Sequence, residues 1–215
     1  MIAGFIVTPF LIAHLGKTNY GLWLLIASLT GYYGLLDLGM RGSVGRHIAF
    51  YRAKDDRPNV NVMFNTSLAI LSSAGVIAII ATFVMVAFVL GLFDIPPDQV
   101  DASRIALLLV GISLALSLPL NTFDATLWGL QRNDIINAVD IVTVIVRTSL
   151  TYYYIGRGYG VLALAWITLL TTQGQGLAKA LAIHHLEPSI RLGARYVTRA
   201  GAKKLFGFGV WAFVM

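Results

Sequence analysis

Asn133, Asn137, Asp140, Thr143, Arg147, Thr151 and Tyr154 follow one another at steps of 4, 3, 3, 4, 4 and 3. Those steps keep side chains on one face of an α-helix, and the residues between them are mainly Ile, Val and Leu. Amide, carboxylate, hydroxyl and guanidinium groups therefore line an otherwise apolar helix. The chemistry they offer is binding rather than bond-making: hydrogen bonds for a polar ligand, a cation for an anion, a carboxylate for a proton or cation. Asp140 and Arg147 are two turns apart, about 10 Å by helical rise. Two readings fit them. In one they form a buried ion pair that fixes helix packing. In the other the line faces a polar cavity open to a substrate. We expect the second, because an ionisable group at bilayer depth costs about 2.5–3.5 kcal/mol on insertion scales and usually faces a bundle interior or a water-filled cavity.

Two weaker lines accompany it. Ser113, Ser117, Asn121, Asp124 and Trp128 follow steps of 4, 4, 3 and 4, with Pro119 among them. Proline removes an i→i−4 bond and bends a helix, and the competing reading is a packing kink with small polar residues as glue. Asn19, Trp23, Thr30, Tyr33 and Asp37 come earlier, with Arg41 one turn beyond. Interfacial aromatics and a snorkelling arginine would explain these equally well. The candidate substrate-binding set is thus Arg147, Asp140, Asn137, Thr143, Asn121, Asp124, Asp37 and Arg41, to which Arg46 is added below. No catalytic residue, metal ligand or cofactor is expected. His184 and His185 are adjacent and point to different helical faces. Gly156, Gly158 and Gly160 form a turn that lacks the strand and helix of a phosphate loop. Arg191, Arg195, Arg199 and Lys203 recur every four residues and predict a juxtamembrane helix resting on anionic lipid.

The elements that must position these groups are membrane helices. Hydrophobic residues make up 57% of the 215 and charged residues 12%, against about 25% charged in a typical soluble domain. There is no cysteine, hence no disulfide framework or thiolate site. A bilayer core needs about 20 apolar residues of helix. Five runs meet that need: 18–36, 60–93, 105–123, 135–155 and 158–178. Residues 1–16 and 205–215 read as partial spans, so both ends look cut and the chain reads as a fragment of a longer transporter. Met1 leads into apolar sequence with no basic n-region or cleavage site, unlike a signal peptide. Lipid cannot satisfy backbone polar groups, so helices are required, and the alternating segments of a β-barrel are absent.

Charge placement orients the spans. Arg41, Arg46, Arg52, Lys54, Arg57, Arg132, Lys179, Arg191, Arg195, Arg199, Lys203 and Lys204 follow the second, fourth and sixth spans; only Lys17, Arg104 and Arg157 lie on the other side. Positive-inside bias puts the first group in the cytoplasm. The net charge of +6 is explained by this bias and does not suggest nucleic acid. The turn containing Asp94, Pro96, Pro97, Asp98 and Asp101 then lies outside.

The run from Pro9 to Gly16 (PFLIAHLG), then Tyr20-Gly21-Leu22-Trp23, and above all Leu36-Asp37-Leu38-Gly39-Met40 followed by Arg46, resemble the N-terminal part of polysaccharide flippases. These belong to the multidrug/oligosaccharidyl-lipid/polysaccharide exporter superfamily. The resemblance covers the whole chain in span layout and is specific over about the first fifty residues. It implies an all-α polytopic bundle forming the first lobe of a two-lobed exporter around a central cavity. Residues 1–178 would be that lobe, 179–204 a basic cytoplasmic linker, and 205–215 the start of the next span.

The resemblance implies translocation of an undecaprenyl-pyrophosphate-linked oligosaccharide across a bacterial inner membrane, without enzymatic chemistry. Arginine suits a pyrophosphate through bidentate contacts. Arg147 is the intramembrane candidate, with Arg41 and Arg46 at the cytoplasmic mouth. Asp37, Asp124 and Asp140 would balance those charges or carry a coupling cation, proton or sodium, during alternating access. The expected partners are the lipid-linked oligosaccharide, membrane lipids and that cation. A multidrug exporter of the same superfamily is the first alternative, but Arg147 would repel organic cations. A membrane-embedded polysaccharide-processing enzyme is the second, but the outer loops are short and no metal motif appears.

Overall fold

The structure, a computed structural model, describes residues 2–37, 39–89, 91, 93 and 95–214. Leu38 of the Leu-Asp-Leu-Gly run and Asp94 of the acidic turn lie outside the described residues. The chain is all-α: it is 88% helical, with no strand among the described residues. The helices are α1 (Ile2–Gly31), α2 (Met40–Ala53), α3 (Arg57–Val84), α4 (Val100–Gly129), α5 (Asn133–Ile155), α6 (Val161–Leu186) and α7 (Arg199–Val214).

Among the described residues, five stretches are long and apolar enough to cross a bilayer: Val7–Ala53, Arg57–Phe88, Val100–Gly129, Asn133–Ile155 and Val161–Leu186. Their outward faces are apolar. Val76, Ile77, Ile80 and Phe83 on α3, and Trp166, Leu170, Leu177 and Leu181 on α6, are each more than half exposed. In water such patches mark an interaction surface, and lipid is the solvent that suits them.

Local chemistry explains the element ends and shows where the expectations above need correction. The first partial span and the run 18–36 belong to one stretch, in which segments 2–15 and 17–31 meet at Gly16 (φ 76°, ψ 165°). Glycine alone reaches that conformation without strain. The basic stretch after Asp37 is a helix, α2. It opens at Gly39 in the left-handed region (φ 70°, ψ 15°). Its Met40, Val44, Ile48 and Tyr51, at steps of 4, 4 and 3, are buried in a cluster with Val60, Met63, Leu71, Ala125 and Leu205. Asp56 caps α3: its Oδ1 accepts the Asn59 backbone N–H at 3.2 Å, and the Asn59 side-chain amide first, then that N–H, hold the carboxyl below its ordinary range.

The expected linker is also corrected. α6 does not stop at Ala178 but runs to Leu186, with Pro188 just beyond. The Arg191, Arg195, Arg199 and Lys203 series does not form one helix. Gly193 is extended, Ala194–Tyr196 is a single 3₁₀ turn, and α7 begins only at Arg199. The cause is a pair of asparagines one turn apart on α3. Asn61 Nδ2 donates to the Ser189 carbonyl at 3.1 Å and Asn61 Oδ1 accepts the Arg191 N–H at 2.6 Å. Asn65 Nδ2 donates to the Arg191 carbonyl at 2.8 Å and Asn65 Oδ1 accepts the Gly193 N–H at 2.9 Å. Two side-chain amides thus stand in for a neighbouring strand, and a backbone satisfied in this way has no need of a helix.

The chain divides into two compact units, one of residues 1–33, 77–115 and 141–174, the other of 34–76, 116–140 and 175–215. In the first, Ile26, Ala106, Leu107, Val110, Val161 and Ala165 form the larger cluster, and Leu11, Leu15, Ile155 and Leu164 a second. Its buried Tyr33 hydroxyl bonds Thr82 Oγ1 at 2.7 Å. In the second, the α2 cluster is joined by one of Leu127, Ile136 and Ile183. Here α2 and α4 meet backbone to backbone. A Cβ on Gly129 would lie 2.6 Å from the Gly45 carbonyl oxygen and 3.0 Å from its Cα. Backbone cannot turn aside as a side chain can. Gly129→Ala should therefore cost about 1–3 kcal/mol, the range for overpacking, read as a lower melting temperature of the purified protein. Gly174→Ala, in a helix with open space around it, should cost nothing measurable. Equal melting temperatures for the two variants would show that α2 and α4 are not in this contact.

Candidate functional site

In the second unit, four helices and the turn before α2 each contribute a group to one charged network. Asp124 is central among the carboxylates: its Oδ1 lies 2.5 Å from Lys179 Nζ and its Oδ2 2.8 Å from Arg41 Nε. Lys179 Nζ also lies 2.7 Å from Asp140 Oδ1, which accepts Gln175 Nε2 at 2.7 Å. The helical repeat accounts for the convergence. Gln175 and Lys179 are one turn apart on α6, and Asn121 and Asp124 nearly so on α4. The backbone N–H of Arg41, in the first turn of α2, is 3.5 Å from Asp37 Oδ2, and the Asn121 side chain lies alongside the same carboxylate.

Burial decides which of these groups are fixed. The Lys179 side chain is 6% exposed and that of Asp124 13%, whereas Asp140 is 43% and Arg41 54% exposed. An isolated ion in such a place carries a desolvation penalty of several kcal/mol, offset only by close partners. Lys179 has two carboxylates and Asp124 two cations. Three carboxylates nevertheless face two cations, and Asp37 Oδ1 is buried without a hydrogen-bond partner among the described residues. A proton on one of these carboxylates would balance the charge.

Arg147 belongs to the first unit. Its Nη2 donates to Thr168 Oγ1 on α6 at 3.2 Å, and among the described residues no carboxylate lies within ion-pair distance of it. It lines an open cleft of about 320 Å³ together with Thr148, Thr151 and Thr168, with Val7, Leu11 and Trp23 among its apolar lining. Thr151 Oγ1 is turned to the Arg147 carbonyl at 2.8 Å. This arrangement can take an anion: a planar guanidinium with donors to spare, beside hydroxyls, walled by apolar side chains.

The buried Asp140–Arg147 ion pair, one of the two readings of the α5 line, is not formed. Each charge has a different partner on α6. Of the nine candidates, Asp37, Arg41, Asn121, Asp124 and Asp140 are brought together, and Arg147 stands with the threonines. Asn137 and Arg46 are exposed on α5 and α2, and Thr143 is half-buried. Sequence reasoning missed Lys179, Gln175 and Thr168. A signal existed: Thr168, Thr171, Gln175 and Lys179 follow steps of 3, 4 and 4 on α6, a polar line like that of α5. Ending the span at the first charge placed Lys179 in a linker and cut the line short.

Fold and charges together describe an all-α protein with five helices, among the described residues, long and apolar enough to cross a membrane, as in a multi-pass membrane protein. No family model, no curated protein and no solved structure matches this chain.

Proposed function

We propose that this protein is a membrane transporter which moves a lipid-linked oligosaccharide across the bacterial inner membrane by alternating access, the chain supplying the first lobe of a two-lobed exporter of the polysaccharide-flippase type. The observation that carries this reading is Arg147: a guanidinium on a membrane-length helix, unneutralised by any carboxylate among the described residues, in a cleft lined by three threonines. A cation so placed is costly without a partner. The pyrophosphate of a lipid-linked sugar is an anion able to take its bidentate donors. The hydroxyls suit a hydrated, sugar-bearing headgroup. The network around Lys179, with one carboxylate more than it has cations, supplies the proton or sodium step. Organic cations fit less well, because Arg147 repels them.

The test is export by the full-length protein. Arg147→Ala should lose it at normal abundance in the membrane. One charge-assisted contact is worth about 1.5–3 kcal/mol, or roughly 10- to 150-fold in affinity. Arg147→Lys should keep part of the activity, since the charge survives and the fork does not. Wild-type export by the alanine variant would sink the proposal.

A further inference from the structure

Where α3 begins and α6 has just ended, the second unit holds a cleft of about 650 Å³. Arg57, from the first turn of α3, and Arg191 line it, with Tyr196, Ser189, Glu187 and Asn61. Three features set it apart from a loose basic surface. First, Arg191 is held in place: its N–H and carbonyl are both bonded by the Asn61–Asn65 pair, at 2.6 and 2.8 Å. Second, Glu187, the one acid in the lining, is taken by Arg52 at 3.0 Å and by the Ser189 hydroxyl at 2.5 Å. Third, among the described residues the Arg57 side chain has only an exposed contact of 3.4 Å to Asp55, and Arg191 has no ion pair at all. Two arginines thus line a cleft whose own acid is neutralised. Arg195, outside the lining, stacks on the Tyr196 ring, 4.8 Å from its centroid, and donates to its hydroxyl at 2.9 Å, which braces that wall.

The place of the cleft in the chain selects its ligand. Arg57 opens one membrane-length stretch, and Glu187 directly follows the last residue of another. At the ends of two such stretches, the cleft stands on the headgroup side of the apolar spans. We infer that it binds the phosphate headgroup of an anionic glycerophospholipid, with Arg57 and Arg191 as its two cationic arms and the acyl chains running beside α3. Pockets of basic residues at helix ends are suited to such headgroups, and guanidinium matches phosphate in geometry as well as charge. The inference is independent of the transport reading, since it concerns neither Arg147 nor the Lys179 network.

The test uses the full chain in nanodiscs of phosphatidylcholine containing a minority of phosphatidylglycerol, with retained phosphatidylglycerol counted by native mass spectrometry. Arg57→Gln with Arg191→Gln should reduce retention at least roughly tenfold, the loss expected from one charge-assisted contact or more. Arg199→Gln with Lys203→Gln removes the same formal charge outside the cleft lining and away from its walls, and should change it less than twofold. Equal losses in the two pairs would mean diffuse surface attraction and would overturn the site, as would undiminished retention in the first pair. If the first pair melts lower than wild type in pure phosphatidylcholine, Arg57→Lys with Arg191→Lys replaces it, and wild-type retention then refutes the guanidinium cleft. A final arm adds inorganic phosphate to the chain in pure phosphatidylcholine. Stabilisation equal to that by phosphatidylglycerol, absent in the cleft variants, would assign the cleft to a soluble anion instead of a lipid.

Discussion

Lys179→Met should destabilise the protein by about 1–3 kcal/mol, less than the ~3–5 kcal/mol of a fully buried pair, because the stranded carboxylate, Asp140, is 43% exposed and keeps part of its hydration. Methionine keeps the length and apolar stem of lysine and removes only the ammonium, so packing is preserved as far as a substitution allows. Asp124 would retain Arg41 at 2.8 Å, but Asp140 would be left with the Gln175 amide alone. The stranded charge is therefore mainly that of Asp140, and Asp140→Asn in the Lys179→Met background should recover most of the loss. Asp124→Asn in the same background should recover less, because it leaves Arg41 unpaired. Melting temperatures of the four proteins in one detergent decide the matter. If Lys179→Met melts with the wild type, or if neither second substitution helps, the ammonium does not bridge the two carboxylates.

Arg147→Ala should act in the opposite way, with a large loss of transport by the full-length protein and little change in stability. The reason is the partner each charge has chosen. Asp140 is satisfied by Lys179 and Gln175, so removing Arg147 strands no carboxylate and gives up one hydrogen bond to Thr168, worth about 0.5–1.5 kcal/mol or, for a charged donor, up to about 3. The two residues are seven apart on one helix, about 10 Å by rise. Substitutions at that separation without a shared partner add to within about 0.3–0.5 kcal/mol. Arg147→Ala and Asp140→Ala should therefore be additive in stability, and the double variant should be abundant yet unable to export. Two outcomes would count against this: a coupling well above that limit, or restored export in the double variant. Either would mean that Arg147 serves Asp140 and not a substrate.

Some of this was legible in the chain itself. Membrane helices follow from composition, because 12% charged residues leave too little polar surface for water, and a bilayer accepts backbone only when its hydrogen bonds are internal. The span of α5 was readable almost to the residue, Asn133–Ile155 against 135–155, since its ends are set by local features: a polar start and the Gly156–Gly160 turn. The polar face of α5 was readable too, because a helical repeat is a property of one segment. α2 was within reach, its Met40, Val44, Ile48 and Tyr51 stripe hidden under arginines that counted as loop charge.

Partnership between segments was not legible. Asp140 could meet Arg147 on its own helix or Lys179 on another, and a period of 3.6 residues says which face a side chain occupies but not what stands opposite. The choice was made where α4, α5 and α6 converge and one ammonium reached two carboxylates at once. Residues 189–193 could have been helix by charge spacing alone. They are instead a turn and irregular backbone, because Asn61 and Asn65, 126 to 130 residues away in sequence, meet their backbone groups. Arg147 stands alone for the same reason: whether a charge has a counterion depends on distances in space, and those are fixed only when the helices pack.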